Sequence, residues 1–298
     1  LPCRQANRHD PHHGLYLGAI LIAPAFVSMV SAGTPFTILG IAVTMKHYHS
    51  SVLPVMLVVA IAYPIEKLWK KIIPDSLSTI FVPTLTIALA APIGLLIAAP
   101  AGYIVGDYLG IVLQWIADHL GFVGLAIIAA LWEYLVMTGM HVVLVMPAMM
   151  NIMGGGVDPV IFVAGKVATF AACGMALGTF LRMKNKEEKS AAAGFFISGL
   201  IGGVTEPVLY GIGLKYKRPF IAMSIGGLVG GAWNGIMHVT ANLLASSNFL
   251  GILAFSGSTS GNLINGTIGC CLGLIVSTVC TYLFGYSKEE IETGKPRT

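Results

Sequence analysis

Charged residues are scarce in this sequence. Lys, Arg, Asp and Glu make up 10% of its 298 residues, whereas hydrophobic residues make up 56%. A soluble domain carries about 25% charged residues to cover its surface, so this composition excludes an ordinary soluble domain. The cations gather near residues 67–71, 182–189 and 215–218. Basic clusters of this kind collect in cytoplasmic loops of membrane proteins, so we expect these three to be cytoplasmic and expect no nucleic-acid partner.

Charge is absent altogether from two long stretches. Neither residues 76–106 nor residues 219–287 contain Lys, Arg, Asp or Glu. A helix needs about 20 apolar residues to cross a bilayer. Strands of a membrane barrel alternate apolar and polar side chains, which these stretches do not do. The sequence therefore predicts an all-α, polytopic integral membrane protein that crosses the bilayer several times.

Several chemical motifs are also missing. The cysteines show no metal-ligand spacing, and we expect the four in apolar runs to be buried; the five are Cys3, Cys173, Cys270, Cys271 and Cys280. No glycine-rich loop is followed by the lysine that cradles a nucleotide phosphate. We therefore predict no metal site and no cofactor. The chain starts at Leu1 with polar residues that do not form a signal peptide, and we expect residues 1–14 to be a truncated or irregular N-terminus.

The hydrophobic pattern divides the rest of the chain into spans. Residues 65–73 place apolar side chains at helical spacing opposite Glu66 and three lysines, which predicts an amphipathic helix at the membrane interface. We expect breaks at Pro100, Gly102, Asp107 and Asp118, a polar stretch over residues 256–265, and a soluble tail over residues 288–298. The expected spans cover residues 15–32, two segments within 79–124, 125–149, 160–181, 219–244 and 263–284.

The apolar segment 191–204 has only 14 residues and ends at Thr205-Glu206-Pro207. A short segment that stops at a proline-broken polar point is typical of re-entrant hairpins in transporters. A carboxylate there costs roughly 3 kcal/mol near mid-bilayer, so it normally faces a water-filled cavity or a polar partner. Glu206 could accept hydrogen bonds from a pair of sugar hydroxyls. The alternative is that Glu206 pairs with Lys215 or Lys217 at a helix end.

Other candidates have weaker signals. His141 lies among apolar residues, where it could donate to a hydroxyl or act as a base but could equally be a core residue. Glu133 precedes it by eight residues and could share its helix face or sit at an interface. We interpret Lys166 as a residue that reaches the headgroups. The glycine-rich run 226–235, GGLVGGAWNG, favours close helix packing over phosphate binding.

Residues 203–211, GVTEPVLYG, resemble the GITEPAIYG signature of the enzyme IIC domains of the phosphotransferase system. They are most similar to the glucose superfamily and its β-glucoside, sucrose and trehalose branch. Four other segments match that family in order: YHSSVLP (48–54), KIIPD (71–75), LWEYLVMTGMH (131–141) and KRPF (217–220). The resemblance covers residues 15–287 and implies that about three N-terminal spans of a full domain are absent.

The resemblance implies a function. It makes the chain the sugar permease, EIIC, of a bacterial inner-membrane phosphotransferase system, acting as a homodimer. Glu206 and His141 would contact the sugar near its reactive hydroxyl, with Thr205 and Lys217 as further binding residues. A phosphorylated EIIB partner would supply the phosphate, so this chain carries no phosphoacceptor. Ala42, Glu133 and the residues after His141 depart from the family pattern, which leaves the sugar open. An ion-coupled secondary transporter and a non-transporting membrane fragment remain alternatives.

Overall fold

A computed structural model describes residues 11–38, 40–44, 48, 53–257 and 259–296. Most of the motif at 48–54 and residues 1–10 of the predicted irregular N-terminus lie outside this described part. The chain divides into two compact units. Unit 1 contains Leu1–Gly110 and Thr138–Val143, and unit 2 contains Ile111–Met137 and Leu144–Thr298.

Helices account for most of both units. The α-helices are α1 (Pro11–Leu21), α2 (Pro24–Ala32), α3 (Leu53–Ile72), α4 (Asp75–Ile93), α5 (Ala99–His119), α6 (Gly121–Met137), α7 (His141–Met153), α8 (Ile161–Arg182), α9 (Lys186–Ile197), α10 (Glu206–Val208), α11 (Leu214–Tyr216), α12 (Arg218–Ile236), α13 (Ser260–Phe284) and α14 (Lys288–Thr293). Wider π-helical turns join several of them at Gly94–Ala98, Ser198–Gly202 and Leu209–Gly213, and Phe249–Phe255 is a 3₁₀ helix. A two-residue hairpin pairs β1 (Thr37–Ile38) with β2 (Ile41–Ala42) in antiparallel fashion.

The first expected span, residues 15–32, is present but broken near its middle. Helix α1 ends at Leu21 and α2 begins at Pro24. Ala23 has the extended conformation that a following proline imposes by steric clash. Gly14–Ala32 is nonetheless apolar enough to cross a membrane.

The amphipathic segment 65–73 is the second half of α3 and not a separate helix. Helix α3 runs through Pro64, and Glu66, which we placed on the polar face, is buried and forms an ion pair with Lys70 at 2.6 Å. Leu68 and Ile72, which we placed on the apolar face, are exposed, as expected of side chains that face lipid. A buried carboxylate needs a partner, and the lysine one turn later supplies it. The location of this segment at a membrane interface stays a prediction.

The two spans predicted within residues 79–124 form one long helical stretch instead. Helices α4 and α5 are continuous through the π turn Gly94–Ala98, in which the Ala99 N–H donates to the Gly94 carbonyl. The four expected breaks, at Pro100, Gly102, Asp107 and Asp118, are therefore wrong. A π turn widens the helix and can accommodate a missing donor and the ring of a proline, which explains why Pro100 does not end it.

The span predicted over residues 125–149 is split. Helices α6 and α7 are bent by 117° at the break between Met137 and His141. Gly139 lies in the left-handed region, with φ of 71°, which glycine adopts without steric cost. Glu133 and His141 therefore lie on different helices, and the suggestion that they share one helix face is wrong.

Helix α12 is the centre of unit 2, where it packs between α6, α8 and α13. Its glycines leave room for neighbouring backbones on two faces. A Cβ at Gly226 would lie 2.5 Å from the Gly273 carbonyl oxygen on α13, and one at Gly227 would lie 2.6 Å from the Ala129 carbonyl oxygen on α6. The predicted role of the run 226–235 in close helix packing is confirmed.

The polar stretch 256–265 is partly helical because α13 already begins at Ser260. Asn262 in its first turn is buried and binds two neighbouring loop segments. Its side chain accepts from the Thr240 N–H at 2.9 Å and donates to the carbonyls of Thr240 and Phe255 at 2.8 and 2.7 Å. One amide thus holds the chain after α12 to the start of α13.

The C-terminal residues also differ from a free tail. Helix α14 has a capping box formed by Ser287 and Glu290, and Ile291 is buried in the core that also contains Tyr216. The Tyr216 hydroxyl contacts both the Glu188 carboxylate and the Gly294 carbonyl. Burial and the Glu188 charge raise the pKa of Tyr216 above its usual range, so the phenol remains a hydrogen-bond donor.

The described residues contain four helical stretches that are long and apolar enough to cross a bilayer. They are Gly14–Ala32, Leu77–Ala117, Ile161–Arg182 and Ser260–Phe284, and the bent pair α6 and α7 would make a fifth. Together with the composition, these stretches support a polytopic α-helical membrane protein.

Gly230→Ala tests the packing around α12. The added methyl group would meet the Gly269 carbonyl oxygen of α13, and overpacking of this kind costs about 1–3 kcal/mol. We expect a lower unfolding temperature in detergent. Gly194→Ala on α9 is the matched control because no atom lies within 4 Å of its Cβ position. Equal stability of the two variants would contradict the packing argument.

Candidate functional site

The sequence 203–211 lies at the turn and in the second arm of a helical hairpin. The first arm consists of α9 and the π turn Ser198–Gly202, and the second begins with α10 at Glu206. Gly203 reverses the chain with φ of 73°. A Cβ there would lie 3.0 Å from the backbone of Ser247 and Asn248, so only glycine allows this turn against the neighbouring loop.

The two arms of the hairpin are packed closely at Gly211. A Cβ on Gly211 would overlap the ring of Phe195 on the first arm. The hairpin tip is also held from outside, because the Asn248 side-chain amide donates to the Ile201 carbonyl at 3.1 Å. These contacts fix the position of the residues that follow the turn.

Thr205 makes the central polar contact of the site. Its hydroxyl donates to the carboxylate of Glu133 on α6 at 2.8 Å. Both residues are buried, Thr205 with 6% and Glu133 with 1% of its surface exposed. Because a buried polar group needs a hydrogen-bond partner, this bond ties the hairpin tip to α6. Sequence reasoning had identified both residues but not their contact.

Glu206 is exposed at the first position of α10. It directly follows Thr205, whose hydroxyl binds the buried Glu133 carboxyl group. Among the described residues, no cation forms an ion pair with Glu206, and Lys215 pairs with Glu188 instead. The alternative in which Lys215 neutralises Glu206 is therefore wrong, and the carboxylate remains available to a ligand.

Lys217 and His141, the other two predicted site residues, are not part of the contact between the hairpin tip and α6. Lys217 is exposed between α11 and α12, with an unusual φ of 64°. His141 is partly buried at the first position of α7 and belongs to unit 1. Glu133, Thr205, Glu206 and Lys217 all belong to unit 2. The structure thus brings together Thr205, Glu133 and Glu206 within unit 2, whereas His141 belongs to unit 1.

Lys166 has a supporting role that the sequence did not reveal. We expected its side chain to extend toward the headgroups, but only 4% of Lys166 is exposed. Its ammonium donates to the carbonyls of Ala245 and Ser246 at 2.7 and 2.6 Å. Those carbonyls precede Asn248, which binds the hairpin tip, so Lys166 stabilises the loop on which the tip rests.

A metal centre is not indicated in the part of the chain that the structure describes. No three His, Cys, Asp or Glu side chains lie together there in a way that could hold an ion. The chemistry of the hairpin tip is therefore that of hydroxyl, carboxylate and amide groups.

A family model described as phosphotransferase system, EIIC, matches residues 6–227. This chain belongs to that family. It is 33% identical over 281 residues to the β-glucoside-specific EIIBCA component of Bacillus subtilis (strain 168), covering 93% of this chain and 45% of the relative. The β-glucoside name of this relative agrees with the branch that the motifs resemble.

Two further EIIC relatives carry other sugar names. The sucrose-specific EIIBC component of Salmonella typhimurium is 31% identical over 281 residues, which is 92% of this chain and 61% of the relative. The glucose-specific EIIBCA component of Corynebacterium glutamicum is 28% identical over 281 residues, 93% of this chain and 40% of the relative. The chain thus spans between 40% and 61% of the length of these three relatives. The predicted family, with its β-glucoside and sucrose branch, is confirmed.

In this EIIC chain, Thr205→Val should remove the hydrogen bond that joins the hairpin tip to α6. Valine keeps the shape but removes the donor to Glu133, and a buried acceptor that loses its partner costs about 1–3 kcal/mol. We expect a lower unfolding temperature in detergent, with Thr205→Ser, which keeps the hydroxyl, close to the parent chain. If valine and serine had the same effect, the Thr205–Glu133 bond would not be important for stability.

Proposed function

We propose that this EIIC chain binds a sugar at the tip of the hairpin and carries it across a bacterial inner membrane for phosphorylation by EIIB. The three relatives described above combine EIIB with EIIC in one protein and are named for β-glucosides, sucrose or glucose. A neutral polyhydroxyl ligand suits the exposed carboxylate of Glu206, next to the Thr205 hydroxyl. The motif matches favour a β-glucoside or a disaccharide.

The single observation that carries this proposal is that Glu206 is exposed and has no ion-pair partner among the described residues. A carboxylate near apolar helices is costly unless it has a polar partner, and Glu206 has no ion pair among the described residues. Sugar hydroxyls can supply that partner, because two adjacent hydroxyls can donate to the two oxygens of a carboxylate. The buried Thr205–Glu133 pair holds the neighbouring backbone in place.

In the proposed phosphoryl transfer, this chain would only need to hold the sugar hydroxyl in position. A sugar hydroxyl oxygen attacks the phosphorus of phosphorylated EIIB, the bond from phosphorus to EIIB breaks, and the hydroxyl loses its proton. Glu206 and His141 are the groups we assign to hold that hydroxyl, and either could accept the proton. Thr205 and Lys217 assist in binding. Holding the two reactants together supplies a proximity effect, so the chain requires no nucleophile of its own.

The assembly is part of the same proposal. We infer that the working permease is a homodimer in the lipid bilayer, each protomer binding one sugar, as the family resemblance implies. EIIB acts from the cytosol, where the basic clusters near residues 67–71 and 182–189 are expected to lie because such clusters favour that side.

A specific observation also favours a second candidate. Glu133 is buried in α6, where its partner is the Thr205 hydroxyl, and buried carboxyl groups of this kind carry protons in ion-coupled transporters. In that case uptake would require a proton gradient and no EIIB. The two functions can therefore be separated by their energy source.

The decisive experiment measures phosphorylation in membrane vesicles that contain this protein. With phosphorylated EIIB and radiolabelled β-glucoside, sucrose or glucose, we expect a labelled sugar phosphate. Without EIIB, we expect neither product nor stable label on the chain from the general phosphocarrier. A stable phosphoryl group on this chain would contradict the proposal. Uptake that needs no EIIB and is abolished by an uncoupler would establish the ion-coupled alternative.

Glu206→Gln tests the binding site directly. Glutamine keeps the size of the side chain but removes its charge, so sugar binding should weaken by about 1.5–3 kcal/mol. Glu187→Gln, on the exposed first turn of α9, is the control with the same chemical change. His141→Ala should also weaken binding while most of the fold remains. Unchanged affinity in both Glu206→Gln and His141→Ala, measured by titration of the purified protein, would rule out this site.

A further inference from the structure

A second site lies at the other end of the hairpin, where α8 and α13 end. A cavity of about 590 Å³ opens there between the end of α8, the start of α9 and the C-terminal helix α14. Four cations line it together with a single carboxylate, Glu292; the cations are Arg182, Lys184, Lys189 and Lys288. Its lining therefore carries a net charge of +3, which favours an anionic ligand.

Arg182 is held in this cavity with unused hydrogen-bonding capacity. Its guanidinium lies 5.0 Å from the centre of the Tyr282 ring, a cation–π contact that orients it. The Nε atom is buried and donates to no acceptor in the described part of the chain. A buried donor without an acceptor is unfavourable, so an anion that accepts a hydrogen bond from Arg182 would stabilise this arrangement.

The other cations are only partly neutralised. Lys184 is 3.6 Å from Glu292, but the side chains of both are about 70% exposed, and exposed pairs contribute little. Lys189 lies 4.9 Å from the centre of the Phe180 ring. Lys288 is exposed on the first turn of α14. Three ammonium groups thus remain able to approach the same ligand as Arg182.

The position of the cavity adds a second requirement on the ligand. Two helices apolar enough to cross a membrane end here, at Arg182 and at Phe284. Exposed apolar side chains on α13 lead along its outer face to Tyr282, which also lines the cavity. This apolar stripe consists of Ile275, Val279, Tyr282 and Leu283, with 41–67% of their surfaces exposed. The cavity is therefore continuous with a surface suited to acyl chains.

We propose that this cavity binds the headgroup of one anionic phospholipid, whose acyl chains lie along the apolar stripe of α13. Basic pockets between helices at the cytoplasmic end of a membrane protein recognise phosphate headgroups in this way. A free phosphate would satisfy the cations but would leave the apolar stripe unused. The lipid would also join α8, α13 and α14, and so stabilise the base of the hairpin opposite its sugar-binding tip.

The test compares lipids by native mass spectrometry and thermal unfolding of the purified protein in neutral detergent. Phosphatidylglycerol should remain bound at one molecule per chain and raise the unfolding temperature, whereas phosphatidylcholine should do neither. Lys189→Gln and Lys288→Gln should each weaken phosphatidylglycerol binding about fivefold, as expected for one basic residue near an anionic surface. Glu292→Gln, which removes the only carboxylate of the lining, should strengthen it.

Lys186→Gln is the matched control, because Lys186 is exposed in the same basic segment but does not line the cavity. Equal weakening by Lys186→Gln, or equal binding of phosphatidylcholine, would overturn the proposal. Displacement of phosphatidylglycerol by an equal concentration of glycerol 3-phosphate would identify the site as one for soluble phosphates. Protection of Lys189 and Lys288 from acetylation by EIIB, but not by phosphatidylglycerol, would make the cavity a protein-docking surface.

Discussion

Close contact between backbones along α12 is the constraint on which the rest of unit 2 depends. Lipid tails are as apolar as leucine, so helices in a membrane gain little from hiding apolar side chains, and tight packing must hold them together. Gly226 and Gly227 face α13 and α6, respectively, at distances that leave no room for a Cβ. Helix α6 carries Glu133, so the glycines of α12 also set the position of the carboxylate that binds Thr205. The glycines of α12, which have no side chain, thus determine where Glu133 lies.

Polar groups in the interior of unit 2 stabilise irregular backbone rather than helices. The ammonium of Lys166 binds two loop carbonyls, the loop then supplies Asn248 to the hairpin tip, and Thr205 joins that tip to Glu133. Backbone groups outside helices must find partners when water is scarce, and each of these side chains provides one. This series of contacts explains how a sharp turn at Gly203 can be held in a single arrangement at the edge of a predominantly apolar bundle.

The sequence predicted the membrane class, most of the apolar segments and the hairpin that ends at Thr205-Glu206-Pro207, because charge distribution and signature residues are local properties. It predicted helix breaks poorly. Pro100 lies within a continuous helix, since a π turn accommodates it, whereas the unremarkable Gly139 marks a bend of 117°. The bond from Thr205 to Glu133 joins residues 72 positions apart, and the burial of Lys166 depends on a loop about 80 positions away. Periodicity cannot reveal contacts of that kind, because they depend on how the helices pack.

Carboxyl groups lie near the tip of the hairpin, whereas a basic cavity lies near its base, where Glu188 and Lys215 also form an ion pair. Near the tip, Glu206 is exposed, and the described residues place no ion-paired cation on it. Near the base, four cations surround one carboxylate. Under the proposed function this separation matters for release, because the substrate is neutral and the product carries about two negative charges. The Glu206 carboxylate, if it accepts hydrogen bonds from a neutral sugar, repels a sugar phosphate at the same place. Glu206 would therefore both bind the substrate and weaken binding of the product, so that transfer of the phosphoryl group itself favours departure from the tip.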